Sequence, residues 1–168
     1  MLIIDRVCIK ERTRPVSGGK SRFLQVKKPV WRINMTFEKV SRSETRLYGL
    51  RKLLLCGFGK EAQPKFLKVL SMAGLADIPV IWAGKKDMER QLNVLFNQTD
   101  GMGWGMGSSL KRAIIVSGIS EKELHQLMNI CRKTGMKKTL WAVLTPTSES
   151  WTLNALLKEL EKERKAMR

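Results

Sequence analysis

The sequence predicts an α/β fold: two tandem β-α-β-α repeats that form one mostly parallel sheet with helices on both faces. A basic, β-rich N-terminal arm precedes them. The prediction depends on an internal repeat at a constant offset of 61, and on buried apolar runs that alternate with helical patterns. We assign residues 1–49 to the arm, 50–97 to the first repeat, 98–110 to a glycine-rich linker and 111–168 to the second repeat.

The repeat aligns without a gap. Gly57 falls on Gly118 and Gly74 falls on Gly135. Apolar blocks coincide at the same offset: 53–55 with 114–116, 66–70 with 127–131, 80–83 with 141–144, and 92–95 with 153–156. Because both glycines and all four apolar blocks agree, duplication explains the pattern better than chance.

Each repeat is read as strand, helix, strand, helix. The strands are expected over 53–58, 78–83, 113–119 and 139–144, since continuous apolar runs are typical of strands covered on both faces. Ser120 and Glu123 form a capping box that starts one helix. The closing helices are expected to begin near Asp87 and near Thr147 or Ser148. A crossover helix favours parallel pairing within each repeat, and a pseudo-twofold relation between the repeats fits this arrangement.

Charge is the unusual property of the composition. The chain has 32 basic and 15 acidic residues, a formal net charge of +17. Residues 1–52 hold fourteen of the basic and four of the acidic residues, a net of +10. Cations at this density indicate a polyanionic partner, and nucleic acid is the first candidate.

The arm holds the predicted nucleic-acid contacts. Residues 31–37 alternate apolar and polar side chains, as in a half-buried strand, and 11–22 form a glycine-containing basic loop. The expected phosphate contacts are Arg12, Arg14, Lys20, Arg22, Lys27, Lys28 and Arg32, with Trp31 as a stacking neighbour. The alternative is a solvated basic loop that touches nothing.

A second candidate site lies at the carboxyl ends of the strands, where ligands gather in parallel α/β sheets. An anion or small-molecule pocket there would use Gly57, Gly118, Thr145, Thr147, Ser148 and Glu149. Ordinary capping, with a turn fixed by Pro146, explains the same polar residues without a ligand.

The glycine-rich linker contains GMGWGMG, which lacks the Gly-Lys-Ser/Thr ending of a phosphate-binding loop. Trp104 at its centre is expected either to plug a groove on the domain or to stay exposed as a stacking residue.

No catalytic set emerges from the sequence. His125 is the single histidine, and Cys8, Cys56 and Cys131 are too scattered for a disulfide framework or a zinc site. We therefore expect no metal or cofactor, and the sequence favours a protein without enzymatic activity while leaving that question open. It carries no signal peptide, apolar span or lipidation motif, so a cytoplasmic location away from membranes is expected.

The segment 140–164, LWAVLTPTSESWTLNALLKELEKER, resembles an uncharacterised bacterial domain family of unknown function. The likeness is carried by Trp141, Thr145, Pro146, Trp151, Leu156 and Leu157. It implies a small bacterial cytosolic protein and brings no activity, cofactor or catalytic residue.

Three functions remain after these considerations. We favour a non-enzymatic module that binds nucleic acid, with RNA or a ribonucleoprotein as partner. The alternatives are a small-molecule sensor or enzyme with its pocket at the strand ends, and a protein–protein interaction scaffold. The oligomeric state is open.

Overall fold

The computed structural model describes residues 45–166. The elements follow in the order β1 (Lys52–Cys56), α1 (Gln63–Met72), β2 (Val80–Ala83), α2 (Leu92–Phe96), β3 (Ala113–Ser117), α3 (Glu121–Lys133), β4 (Leu140–Val143) and α4 (Leu153–Ala166). Short 3-10 turns precede α1 and α2 at Lys60–Ala62 and Lys85–Asp87. The predicted alternation of strand and helix is confirmed. The strands predicted in the arm lie outside the described residues.

The four strands form one sheet in the order β2-β1-β3-β4. β1 pairs with β2 in parallel and β3 pairs with β4 in parallel, as crossover helices within each repeat require. The central pair, β1 with β3, is antiparallel. The predicted mostly parallel sheet is therefore confirmed, and the two repeats meet along its one antiparallel ladder.

Hydrogen bonds reveal a pseudo-twofold axis at the centre of this ladder. Leu54 lies opposite Ile115, its own equivalent in the second repeat. A second exchange links the segments before α2 and α4: Leu92 N donates to Trp151 O (2.9 Å), and Leu153 N donates to Arg90 O (3.0 Å). Leu153 is the repeat equivalent of Leu92, and Trp151 is the repeat equivalent of Arg90, so exchange of the two repeats converts one bond into the other. The duplication in the sequence is thus also a symmetry of the structure.

The core has two layers, one on each face of the sheet. α1 and α3 cover one face, packing on side chains such as Leu53 and Ile114. α2 and α4 cover the other face, packing on the alternate residues of the same strands, such as Leu54 and Ile115. Because both faces are covered, the strands are apolar except at Lys52 and Ser117 and show no period of two.

Both cysteines of the described region lie in these layers. Cys56 and Cys131 are free and buried. Desolvation raises the pKa of each thiol to about 12, so both are protonated, apolar side chains at neutral pH. Cys56 therefore packs as a small hydrophobic residue of the core.

The predicted starts of the closing helices are wrong. α2 begins at Leu92 and α4 at Leu153, several residues after Asp87 and Ser148. The carboxylate of Asp87 accepts from Gly84 N at 2.9 Å, and the hydroxyl of Ser148 accepts from Thr145 N at 3.0 Å. These repeat-equivalent side chains therefore close tight turns, and each helix begins only after its turn is complete.

The glycine-rich linker covers the free edge of β2. Trp82 N donates to Met102 O (2.8 Å), and Gly101 N donates to Val80 O (2.9 Å). Trp104 packs edge-to-face on Trp82, with ring centroids 5.6 Å apart, and leaves 48% of its surface exposed. The linker thus protects an edge strand whose backbone groups would otherwise be open to another chain.

Candidate nucleic-acid interface

The eight arm residues predicted to contact nucleic acid lie outside the described part of the chain. They are Arg12, Arg14, Lys20, Arg22, Lys27, Lys28, Trp31 and Arg32. Residues 45–166 nevertheless carry 20 basic and 11 acidic side chains, a net of +9. The charge excess is therefore a property of the folded body as well as of the arm.

The structure separates the members of the predicted strand-end pocket. Because β1 and β3 are antiparallel, Gly57 and Gly118 follow opposite ends of the central ladder. Gly118 and Thr145 follow neighbouring parallel strands and share one edge. Gly57 therefore cannot contribute to a pocket with the other five residues.

Each of these glycines permits a close backbone crossing. Gly57 has φ +74°, and a Cβ placed on it would lie 2.6 Å from Lys111 C and 2.7 Å from Arg112 N. Gly118 has φ +62°, and its Cβ would lie 2.5 Å from Arg51 N. Both positions are structural requirements of the duplicated fold.

The polar side chains of the 145–149 turn bond to one another. Ser148 is 2% exposed, and its N–H donates to Thr145 Oγ1 at 3.2 Å, while Thr145 N donates back to its hydroxyl. Glu149 accepts a hydrogen bond of 2.7 Å from the hydroxyl of Tyr48, and this bond raises the pKa of Tyr48. Thr147 is exposed. These bonds satisfy Thr145, Ser148 and Glu149 locally without a ligand, but they close a turn and do not cap α4, which begins at Leu153.

An arginine at the start of β1 is neutralised by two carboxylates. Arg51 donates to Asp77 at 2.6 Å and to Glu123 at 2.7 Å. The second oxygen of Glu123 accepts from Ser120 N at 2.7 Å, completing the predicted capping box at the N-terminus of α3. Burial alone would raise the pKa of Glu123, but the bonds from Arg51 and Ser120 outweigh it and lower that pKa.

This cluster predicts a loss of stability in acid. A carboxyl group whose pKa is lowered by folding stabilises the protein above its unfolded pKa, and the contribution disappears as pH falls through the folded pKa. We expect Glu123→Gln, whose amide oxygen can still accept from Ser120 N, to lower the free energy of unfolding at neutral pH by about 1 kcal/mol, mainly through the lost charge interaction with Arg51. The difference from wild type should shrink below about pH 4, as measured by urea denaturation across pH. A pH-independent difference would contradict this assignment.

The repeat-equivalent arginine lacks both carboxylates. At the repeat offset of 61, Arg112 is the equivalent of Arg51, Lys138 is the equivalent of Asp77, and Ala62 is the equivalent of Glu123. Arg112 makes no ion pair with any residue of 45–166, and its guanidinium lies 5.1 Å from the ring centroid of Phe58. One half of the fold therefore carries a neutralised arginine, and the other carries an arginine beside an added lysine.

Two grooves meet at Arg112. The first, hereafter the apolar groove, has a volume of about 510 Å³ and is lined mainly by carbon. Its apolar lining residues are Phe58, Ala62, Phe66, Val69, Met72 and Met136, and its charged ones are Glu61, Lys65, Lys68 and Arg112. The second, hereafter the basic groove, has a volume of about 570 Å³ and is lined by Gly57, Leu110, Arg112, Gly135, Met136, Lys137, Lys138 and Thr139. Both volumes lie in the range of ligand clefts.

The lining of the basic groove includes no carboxylate from the described residues, and further cations adjoin it. Lys137 and Lys138 form no ion pair within the described region. A neighbouring groove is lined by Lys111, Lys138, Leu140, Glu161, Arg164 and Lys165, where Glu161 is paired with Lys111 at 2.6 Å. The edge of the body around Arg112 is therefore a concave cationic surface.

Reasoning from sequence missed this surface, although the alignment of the repeats contains part of the signal. It pairs Arg51 with Arg112 and Asp77 with Lys138. What it lacks is the contact between Arg51 and Glu123, which are 72 positions apart. Because the sequence does not show that Arg51 contacts Glu123, the alanine at position 62 does not reveal that Arg112 lacks a carboxylate partner.

Residues 45–166 contain no group of three or more His, Cys, Asp or Glu side chains placed to hold a metal ion. In the same range no helix is both long and apolar enough to cross a bilayer.

Comparison with known proteins finds a family match in the C-terminal third of the chain. Residues 112–167 match the family model described as "Domain of unknown function (DUF3783)". This confirms the expected resemblance to an uncharacterised domain family. No curated protein and no solved structure matches the chain.

Proposed function

We propose that the protein is a non-enzymatic module that binds nucleic acid, with single-stranded RNA as the favoured partner. The observation that carries the proposal is the concave edge around Arg112, where cations lie together without neutralising carboxylates among the described residues of the basic groove. Like charges repel unless a polyanion lies among them, and displaced counterions add a favourable entropy when phosphates bind.

The arm extends the same proposal. The seven basic side chains predicted above as contacts supply additional phosphate contacts, which position a protein on nucleic acid without reading the sequence. Trp31 is a candidate for stacking on an unpaired base, which single-stranded RNA offers and a duplex does not. Buried free thiols at Cys56 and Cys131 suit a reducing cytoplasm, where such a partner is abundant.

The dependence of affinity on salt tests this function. We expect log Kobs for a single-stranded RNA to fall linearly with log salt, with a slope of about 0.7 per phosphate contact. Changing Arg12, Arg14, Lys20, Arg22, Lys27, Lys28 and Arg32 to glutamine in the full chain should reduce the slope by up to about 5. Fluorescence anisotropy between about 50 mM and about 300 mM salt measures both slopes.

A comparison variant separates specific arm contacts from general charge. Lys85 and Lys86 lie on the turn before α2, and neither lines the grooves around Arg112. Their change to glutamine should leave the slope nearly unaltered. Absence of RNA binding at low salt, or tight binding that ignores salt, would overturn the proposed function.

A further inference from the structure

We propose that the two grooves at Arg112 together hold one nucleotide of a single-stranded chain, with its base in the apolar groove and its phosphate in the basic groove. The proposal rests on the proposed function and gives it a specific place on the body. Arg112 and Met136 line both grooves, so the two sites are separated by no more than the width of these side chains.

The apolar groove suits a flat, uncharged ring. Phe58 and Phe66 are nearly fully buried and pack edge-to-face with ring centroids 4.9 Å apart, so the apolar wall is held rigidly. Met72 is 62% exposed in the same lining and can follow the outline of a ligand. Bases of any identity offer an apolar face to such a surface, which favours binding without strong sequence preference.

The basic groove suits a phosphate group beside that ring. Lys137 and Lys138 are exposed cations without an ion pair among the described residues, and Arg112 adds a planar donor set. The Oγ1 atom of Thr139 in the same wall is buried without a hydrogen-bond partner among the described residues. Cations and an unused hydroxyl complement an anion. Glu61 lines the apolar groove and not the basic groove, and Glu161 in the adjoining groove is paired with Lys111.

Arg112 joins the two sites. Its guanidinium is held 5.1 Å from the Phe58 ring centroid, which restricts its orientation. A guanidinium plane can stack on a base while its edges donate to a phosphate oxygen. A nucleotide offers both partners at adjacent positions, whereas an isolated inorganic anion uses only one of them.

The pseudo-twofold provides an internal comparison for this site. The corresponding place in the other half holds Arg51, whose donors are occupied by Asp77 and Glu123. Ala62 is the repeat equivalent of Glu123, so an alanine replaces the carboxylate at this place, and Ala62 lines the apolar groove. The duplicated fold therefore has one closed and one open copy of the same arginine position, and we expect one nucleotide site per chain.

Transferring the closed arrangement to the open copy tests the proposal. The variant Ala62→Glu with Lys138→Asp gives Arg112 the two carboxylates that neutralise Arg51. In the full chain, we expect its affinity for a single-stranded RNA of about twelve nucleotides to fall at least about tenfold, roughly the value of one stacked base with its phosphate contact. The midpoint of thermal unfolding should be at least as high as in wild type, because the fold already accepts this arrangement.

A matched control removes the same charge elsewhere. Ala155→Glu with Lys158→Asp alters exposed positions of α4, on the opposite face of the sheet, by the same three charges. We expect this control to lose less than about threefold in affinity, through weakened long-range attraction alone. An Arg112→Gln variant provides a second measurement should the double variant fold poorly, and it should weaken binding at least about fivefold.

An RNA of the same length with abasic sites tests the apolar groove separately. This RNA retains every phosphate and lacks bases, so a loss of affinity reports on base contacts alone. We expect wild type to bind it at least about fivefold more weakly than the intact strand. The ratio of the two affinities should be smaller for Arg112→Gln. If RNA binds but the double variant and its control are weakened equally, the nucleotide site is wrong while the proposed function stands. If the double variant loses affinity and the abasic ratio stays at one, the base does not occupy the apolar groove.

Discussion

Gly57→Ala and Gly118→Ala are each expected to lower the free energy of unfolding by about 3 kcal/mol or more. Both residues have positive φ, and a Cβ at either position would press into the backbone of the segment that leads into the other repeat. Part of the cost is the left-handed conformation, about 1–2 kcal/mol, and the rest is displacement of a packed main chain. Urea denaturation followed by tryptophan fluorescence measures each change.

Gly74→Ala is the matched control for this prediction. Gly74 has φ +67°, close to the value at Gly57, but no atom lies within 4 Å of the place that a Cβ would occupy. Its replacement should therefore cost only the conformational part, about 1 kcal/mol. Equal losses at Gly57 and Gly74 would show that the backbone crossing does not constrain the fold.

The repeat makes much of the fold predictable. Gly57 and Gly118 coincide at one offset, and the structure gives them the same conformation and the same crossing. Apolar runs locate all four strands within a few residues, since strands covered on both faces need apolar side chains throughout. The pattern of apolar residues along the chain predicts the structure correctly where burial alone determines that pattern.

The sequence is less informative where hydrogen bonds between distant residues decide the outcome. Antiparallel pairing of β1 with β3 follows from how the two repeats meet, which no local pattern encodes. That pairing places Gly57 away from Thr145, so the predicted strand-end pocket does not form as one site. Asp87 and Ser148 have good N-cap chemistry, but they use it on their own turns.

The same limitation hides the surface around Arg112. A lysine such as Lys138 on a basic chain draws no attention by itself. It becomes informative only beside Asp77, the carboxylate that occupies the equivalent place and neutralises Arg51. The difference between the two halves of the duplicated fold therefore becomes visible only in three dimensions.

Leu54→Ala is expected to lower the free energy of unfolding by about 2–5 kcal/mol. Leu54 is fully buried at the centre of the antiparallel ladder, opposite Ile115, and its truncation leaves a cavity in the layer that α2 and α4 cover. The measurement is differential scanning calorimetry together with urea denaturation. Val94→Ala, at a 42% exposed position of α2, should change the free energy by less than about 0.5 kcal/mol.

The shape of the transition matters as much as its midpoint. Each repeat contributes only two strands to the sheet, and both core layers draw side chains from both repeats. A two-stranded unit cannot bury its faces alone, so neither repeat should persist after the other unfolds. Leu54→Ala should therefore shift one cooperative transition, with equal calorimetric and van't Hoff enthalpies. The contrary result would be two resolved transitions, with only one of them shifted by Leu54→Ala. The repeats would then fold as separate units, and the ladder at Leu54 and Ile115 would not be what joins them.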